Sequence, residues 1–231
     1  MKRRYAIAAI RQTNGGHGVL LDGTPLKTPA GRDLVVPGAA LAAAIAAEWN
    51  AQPDAFDPSA MGLTALAGFA LDRLALDRPL ALGRLARYAE TDLLCYRAEY
   101  PEALIERQQK AWQPLLDWVE MRYEAPLLVT TGVIPKPQSD RSLCALARAL
   151  EGLDDFSLAA LSSIAGASGS LVIALALLAG RIDAEAAFAL ATLEERFAGE
   201  SWGEDEWEAG RRREKARGLR TAARFLALLR A

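Results

Sequence analysis

The sequence contains few of the side chains that most often carry out chemistry in proteins. It has a single histidine, His17, and two cysteines, Cys95 and Cys144, which stand far apart. One histidine is too few for a zinc site with several imidazole ligands. It is also the only candidate for a catalytic triad that needs histidine. His17 lies in a Gly-Gly-His-Gly turn and is expected to be a solvated loop residue. Cysteines without C-x-x-C spacing argue against a disulfide framework and are typical of a reducing compartment.

The sequence also lacks a dominant charge and a targeting segment. Its 27 lysines and arginines are balanced by 29 acidic residues, and the net charge is −2. A nucleic-acid-binding protein usually needs a basic field or a basic face. The basic residues 2–4 precede an apolar run that is short and interrupted by Arg11, which is unlike a signal peptide. We therefore expect a cytoplasmic protein without general affinity for nucleic acid.

Motifs for catalysis are missing as well. The chain has no glycine-rich phosphate loop followed by Lys-Ser/Thr, no G-x-S-x-G motif and no carboxylates at metal-binding spacing. The Gly-Ala-Ser-Gly stretch at 166–169 falls inside a predicted helix, not at a turn between a strand and a helix. We expect no catalytic residue, no metal and no cofactor, and hence a protein that is not an enzyme.

The first 38 residues predict a small antiparallel β unit in which three short apolar runs alternate with turns. Asp22-Gly23 is a strong hairpin signal, because both central residues of a type I′ turn need positive φ. Pro25 and Pro29 argue against a central strand between them, since proline cannot donate to a β ladder. The strands are therefore expected to be short or at an edge.

After residue 38 the pattern becomes helical. Leu41, Ile45 and Trp49 fall on one face of the first predicted helix. Pro101 stands where a long helix begins, and Pro114 is expected to kink or interrupt that helix.

Seven or eight helices are predicted in total, including long ones at 157–180 and 183–199. The fold class is therefore α+β, with the β unit at 1–38 and a helical domain at 39–231.

One stretch, 158–179, carries no charge and is long enough to span a bilayer. It is rich in alanine, serine and glycine, so it is less apolar than the helices that usually insert into membranes, and no basic cluster or aromatic belt flanks it. A helix buried on all sides within a helical domain explains the same composition. We therefore expect no stable membrane insertion.

The C-terminal segment places acidic residues before basic ones, an order that favours the helix macrodipole. Four arginines share one face of the last predicted helix: Arg213, Arg217, Arg220 and Arg224. This arginine face leaves open an alternative function, the binding of RNA or a membrane surface. No aromatic platform accompanies it, and a solvated helix face explains it equally well.

Glu194 differs from its acidic neighbours because it lies along an apolar stripe. Leu190, Leu193 and Phe197 flank it at helical spacing, and a carboxylate there is costly without a donor or a partner. It could be paired inside the fold, for example with an arginine of the last helix. It could instead be an acidic contact on a binding surface.

Several motifs, in the same order along nearly the whole chain, resemble one family of assembly chaperones. They are Val-Leu-Leu-Asp-Gly-Thr-Pro-Leu-Lys-Thr-Pro at 19–29, Ala-Ala-Glu-Trp-Asn at 46–50, Thr-Asp-Leu-Leu-Cys-Tyr-Arg at 91–97 with Pro-Glu and Trp-x-Pro-Leu-Leu-x-Trp after it, and Leu-Glu-Glu-Arg-Phe at 193–197 with Trp-Gly-x-x-Glu-Trp at 202–207. The chain is similar to the chaperones for the α subunit of the F(1) sector of ATP synthase, known from mitochondria and α-proteobacteria.

The resemblance implies an N-terminal β unit, a larger helical domain, no cofactor, and transient binding of the unassembled α subunit. It also implies roles for single residues. Glu194 matches an acidic position needed for function, and Trp202, Glu206 and Trp207 match a motif that binds the partner or packs.

Trp49, Asp92 and Arg97 match positions that are structural or partner-binding; Trp49 continues an apolar helix face and is expected to be structural. In one departure, Glu208-Ala209 follows Trp207 where relatives often carry Ala-His.

Overall fold

The structure is a computed structural model that describes residues 2–132, 136–203 and 206–231, without the side chains of Ser59, Ser201 and Trp202. A small antiparallel sheet comes first and helices make up most of the remainder. The predicted α+β class is therefore confirmed.

The first sheet contains four strands: β1 (Ala8–Thr13), β2 (Gly16–Leu21), β3 (Thr24–Pro25) and β4 (Val35–Val36). Strand β2 is central, antiparallel to β1 on one side and to both β3 and β4 on the other. Asp22 and Gly23 connect β2 to β3 with φ of 47° and 82°, which confirms the predicted turn. Strand β3 ends at Pro25, as expected for a residue that cannot extend a ladder.

The helices follow in this order: α1 (Ala39–Asn50), α2 (Gly62–Phe69), α3 (Arg78–Ala86), α4 (Glu102–Tyr123), α5 (Asp140–Glu151), α6 (Asp155–Ser168), α7 (Leu171–Leu178), α8 (Ala184–Ala191), α9 (Leu193–Trp202) and α10 (Glu206–Arg230). Helix α2 continues into a π-helical turn, Ala70–Leu74. A two-stranded parallel pair, β5 (Tyr96–Arg97) with β6 (Thr130–Thr131), was not predicted.

Helix α1 packs on β1 and β2. Leu41 and Ile45 are fully buried and Trp49 is nearly so, which confirms the predicted apolar face; burying each such side chain contributes about 1.5–3 kcal/mol. Pro101 precedes α4 as its N-terminal cap residue, as predicted. Pro114 lies inside α4, which runs on without a break.

Two long predicted helices are each broken in the structure. Between α6 and α7 stands Gly169, whose φ of +72° a residue with a side chain adopts only with strain. The Ser170 hydroxyl then accepts from the Ile173 amide at 3.0 Å and caps α7. Between α8 and α9 the backbone leaves helical geometry at Thr192, with φ −121° and ψ 15°.

The uncharged stretch 158–179 thus forms two shorter helices, with residues 171–177 of α7 buried. Among the residues that the structure describes, no helix has the length and apolar character needed to cross a bilayer.

The chain divides into two compact units. One contains Met1–Ala81, Asp154–Ala160 and Thr221–Ala231, with the first sheet, α1 and α2; the other contains Leu82–Leu153 and Leu161–Arg220. Helices α3, α6 and α10 each contribute residues to both units. The boundary at residue 38 proposed from the sequence stays a prediction.

Candidate functional site

Glu194 lies in the first turn of α9, at an exposed position. The predicted stripe therefore spans two helices, because Leu190 belongs to α8 and Leu193 begins α9 after the break at Thr192. The Thr192 hydroxyl donates to the Phe188 carbonyl at 2.7 Å, back into α8. A carboxylate in the first turn of a helix is favoured by the unpaired N–H groups there.

A buried glutamine of α4 holds the Glu194 carboxyl. Gln108 is fully buried, and its Nε2 donates to Glu194 Oε1 at 2.5 Å. The Gln108 Oε1 accepts from the Ala98 amide at 2.8 Å. Because the Ala98 N–H fixes which end of the amide is the oxygen, the NH2 group must face Glu194. The partner of Glu194 is thus a neutral amide, not an arginine of the last helix.

The protein around this carboxyl changes its acidity. Partial burial raises the pKa of Glu194, the hydrogen bond from Gln108 opposes that rise, and the Glu195 charge adds to it. Glu195 itself is drawn towards α10, where it forms a 2.9 Å ion pair with Lys215. The two adjacent carboxyl groups therefore point to different partners, and no cation of the described residues forms an ion pair with Glu194.

An open groove lies beside this site, with a volume of about 430 Å³. Helices α4, α8 and α9 line it with four small or apolar residues (Ala111, Ala189, Leu190 and Leu193) and four charged ones (Arg107, Lys110, Arg196 and Glu200). Its walls follow from helix periodicity: Leu193, Arg196 and Glu200 stand at i, i+3 and i+7 on one face of α9.

Arg97 is buried in the same unit and is not at the surface. Its guanidinium lies 5.2 Å from the centroid of the Trp112 ring, and Nη2 donates to Gln113 Oε1 at 3.4 Å. Its Nε and Nη1 are buried and have no hydrogen-bond partner among the described residues. Burial lowers the pKa of Arg97. Trp112 in turn donates from Nε1 to the Leu190 carbonyl at 3.1 Å, which ties α4 to the end of α8.

Asp92 is fully buried and satisfies three donors. It accepts from the Leu94 amide at 3.1 Å, from the Ser170 hydroxyl at 2.7 Å and from the Val172 amide at 3.0 Å. It therefore caps both the 3-10 turn Leu93–Cys95 and the start of α7. Burial raises the pKa of Asp92 to about 6.

Trp49 lies in the other unit and has no part in this site. Its Nε1 donates to Thr64 Oγ1 at 3.1 Å, and its ring makes edge contacts with Tyr5 and Phe56, with centroids 5.4 and 6.0 Å away.

Two residues of the Trp-Gly-x-x-Glu-Trp motif start α10. Glu206 and Trp207 are exposed, the latter by 68%. The Arg211 guanidinium lies 4.8 Å from the Trp207 ring centroid, which orients the indole on the surface. The side chain of Trp202 lies outside the part of the chain that the structure describes.

The arginine face of α10 is partly neutralised. Arg217 pairs with Glu214 at 2.6 Å, and Arg220 binds both carboxylate oxygens of Glu185 at 2.5 and 3.0 Å. Such pairs weaken the positive field that attracts RNA or an anionic lipid surface. The alternative function predicted from this face gains no support.

Gln108 and the groove were not predicted from the sequence. A signal for Gln108 was present, because it occupies an apolar position of α4, four residues before the buried Trp112. The groove left no such signal, since its lining comes from helices far apart in sequence.

Comparisons with known proteins agree with one another. A family model described as ATP12 chaperone protein matches residues 2–120. The mitochondrial protein atp12 of Schizosaccharomyces pombe is 28% identical over 87% of this chain and 74% of that protein. The crystal structure of Atp12 from Paracoccus denitrificans is 41% identical, with a TM-score of 0.92, over 99% of this chain and 98% of that one. A structure from Agrobacterium tumefaciens is 37% identical, with a TM-score of 0.94, over 99% of this chain and 86% of that one.

Proposed function

Because the chain belongs to the ATP12 chaperone family, we propose that it binds the unassembled α subunit of the ATP synthase catalytic head. The family predicted from the sequence motifs is confirmed. An unassembled α subunit exposes apolar surface that is later buried between subunits, and such surface promotes aggregation. The protein covers that surface until the β subunit replaces it, in the cytoplasm and without a catalytic step.

The observation that carries this proposal is the fixed, exposed carboxyl of Glu194. Its hydrogen bond from the buried amide of Gln108 restricts its rotamers, so that little side-chain entropy is lost when a partner binds. Because no cation of the described residues pairs with it, its charge is available to a client. The open groove beside it supplies apolar contact area.

The exposed tryptophan at the start of α10 is the second part of the proposed contact surface. Tryptophan is enriched among residues that dominate binding energy, and Trp207 is already oriented by Arg211. We place Glu206 with it and, from the motif alone, Trp202. Asp92, Arg97 and Trp49 we assign to structure, because each is buried and bound by neighbours.

The experiment is capture of purified, unassembled α subunit by the immobilised protein, together with light scattering of α during dilution from denaturant. The wild-type protein should retain α without added nucleotide and suppress its aggregation. Glu194→Lys should lose both activities. Glu106→Lys, the same charge reversal at an exposed position of α4, should keep them.

Circular dichroism and urea denaturation of both variants decide how a loss is interpreted. If the wild-type protein retains no α, the proposed partner is wrong. If Glu194→Lys loses α only because it is unfolded, Glu194 is structural and the contact lies elsewhere.

A further inference from the structure

We propose that the groove between α4, α8 and α9 docks a segment of the client polypeptide that carries both carboxylates and small apolar side chains. This inference rests on the proposed function, since the client is the unassembled α subunit. It adds the chemistry of the segment that is held and the residues that hold it, Lys110 and Arg196.

Two of the four charged side chains in the groove, Arg107 and Glu200, are paired with each other. The Nη1 group of Arg107 lies 2.8 Å from both carboxylate oxygens of Glu200, and its guanidinium stands 5.0 Å from the Phe197 ring centroid. Arg107 and Glu200 therefore neutralise each other and form a fixed wall.

The other two cations of the groove are open to a partner. Arg196 is close enough to Glu200 to help lower the pKa of that carboxyl, but Glu200 makes its ion pair with Arg107. Within residues 2–132, 136–203 and 206–231, neither Lys110 nor Arg196 forms an ion pair, and both are exposed. The groove thus presents two cations that a client carboxylate can reach.

The floor of the groove is apolar and shallow. Ala111, Ala189, Leu190 and Leu193 are each partly exposed, and two of the four are alanines, which leave room for side chains of a partner. A volume of about 430 Å³ falls within the range of about 300–1,000 Å³ for ligand sites. It therefore takes a few side chains at a time, as a short peptide segment would provide.

The charges of the groove determine which kind of client segment binds there. A client carboxylate over Lys110 or Arg196 gains an ion pair, whereas a client lysine is repelled. The apolar floor favours a peptide over a nucleic-acid backbone, because a phosphate backbone has no apolar side chains to bury there. Each exposed ion pair contributes little to binding, because water and salt screen its charges. The contact is therefore weak enough to be released when the β subunit arrives.

The test reverses the charge of both Lys110 and Arg196. Lys110→Glu/Arg196→Glu should weaken binding of purified α subunit by on the order of tenfold, with the urea midpoint of the protein unchanged. The matched control is Arg84→Glu/Arg87→Glu, which makes the same charge change at two exposed arginines elsewhere in the same unit. The control should bind α as the wild-type protein does.

Synthetic peptides then identify the preferred chemistry. A fluorescent peptide of leucine, alanine and glutamate should bind the wild-type protein, and more weakly at high salt. The same peptide with lysine for glutamate should bind only the doubly reversed variant. At matched ionic strength, inorganic phosphate and single-stranded RNA should compete with neither peptide.

The outcomes separate this inference from the proposed function. If the wild-type protein and the doubly reversed variant hold α equally well, the groove is not the docking site while the α-subunit assignment stands. If the lysine peptide binds the wild-type protein as well as the glutamate peptide, or if RNA displaces the peptide, the acidic segment is the wrong occupant. If the wild-type protein holds no α, both proposals fall together.

Discussion

Exchanging the amide of Gln108 and the carboxyl of Glu194 separates the structural role of Glu194 from its role in binding. The first half of the exchange, Gln108→Glu, keeps an oxygen that accepts from the Ala98 amide. It also replaces the amide donor, 2.5 Å from Glu194 Oε1, with a second carboxylate oxygen. Two charges about 4 Å apart repel by about 4 kcal/mol at an effective dielectric of about 20.

That repulsion is an upper limit, since Glu194 is exposed to water and the pair can take up a proton. We therefore expect Gln108→Glu to lower the free energy of unfolding by about 2 kcal/mol near neutral pH. The loss should shrink as the pH falls, because a shared proton restores one hydrogen bond. Urea denaturation across a pH series measures both effects.

The second half, Glu194→Gln added to Gln108→Glu, restores one amide and one carboxyl at unchanged net charge. The free energy of unfolding should return to within about 1 kcal/mol of the wild-type value. Capture of α subunit should not return, because the charge has moved from the exposed start of α9 to the buried site on α4.

Two results would refute this reasoning. If the exchanged protein remains as unstable as Gln108→Glu, the Gln108–Glu194 hydrogen bond does not couple the two helices. If the exchanged protein captures α normally, the client does not recognise the position of the charge on α9.

Three further predictions concern residues that stabilise the fold. Burial raises the pKa of Asp92 to about 6 in the folded protein, whereas the same carboxyl in the unfolded chain titrates near its ordinary value of about 4. As the pH rises from about 4 to about 6, the unfolded chain therefore loses the proton while the folded protein keeps it. The free energy of unfolding should fall by about 3 kcal/mol over that range. The same urea titration of Asp92→Asn should show a smaller fall, and parallel curves would contradict the assignment. Trp49→Phe should cost about 1 kcal/mol through the lost hydrogen bond to Thr64, whereas Trp49→Ala should cost about 3–5 kcal/mol; equal losses in urea denaturation would argue against a packing role. Gly16→Ala places Cβ 2.3 Å from a carbonyl oxygen of β4 at φ +136°, so it should lower the thermal midpoint clearly more than Gly15→Ala, which meets open space.

Features set by local chemistry could be predicted from the sequence. The turn at Asp22-Gly23 requires positive φ at two adjacent positions, and few residue pairs supply that. The Asp183 side chain accepts from the Ala186 amide at 2.8 Å and caps α8, again as expected from a short polar residue before a helix. In such cases the signal and the structure involve the same few residues.

The two helix breaks could not be predicted by periodicity. Residues around Gly169 are small or apolar on all sides, so no amphipathic phase is lost when the helix stops. At Thr192 the apolar spacing continues in phase across the break, which made α8 and α9 look like one helix.

The partner of Glu194 was hidden for a different reason. Gln108 and Glu194 are 86 positions apart, and only the packing of α4 against α9 brings them together. The predicted arginine partner followed the general preference of a carboxylate for a cation, whereas the fold supplies an amide. The parallel pair of β5 and β6 has only two residues in each strand, which is too short for an alternating pattern.

The burial of α7 has a consequence for how this protein is made. Residues 171–177 are covered in the folded state, in part by α4 and α8. During translation α4 leaves the ribosome before α7, whereas α8 follows it. At about 5–20 residues per second, α8 is complete roughly 1–3 s after α7. For that interval the most apolar helix of a chaperone is not fully buried. The nascent chain is therefore itself exposed to aggregation, the process that a chaperone prevents in its client.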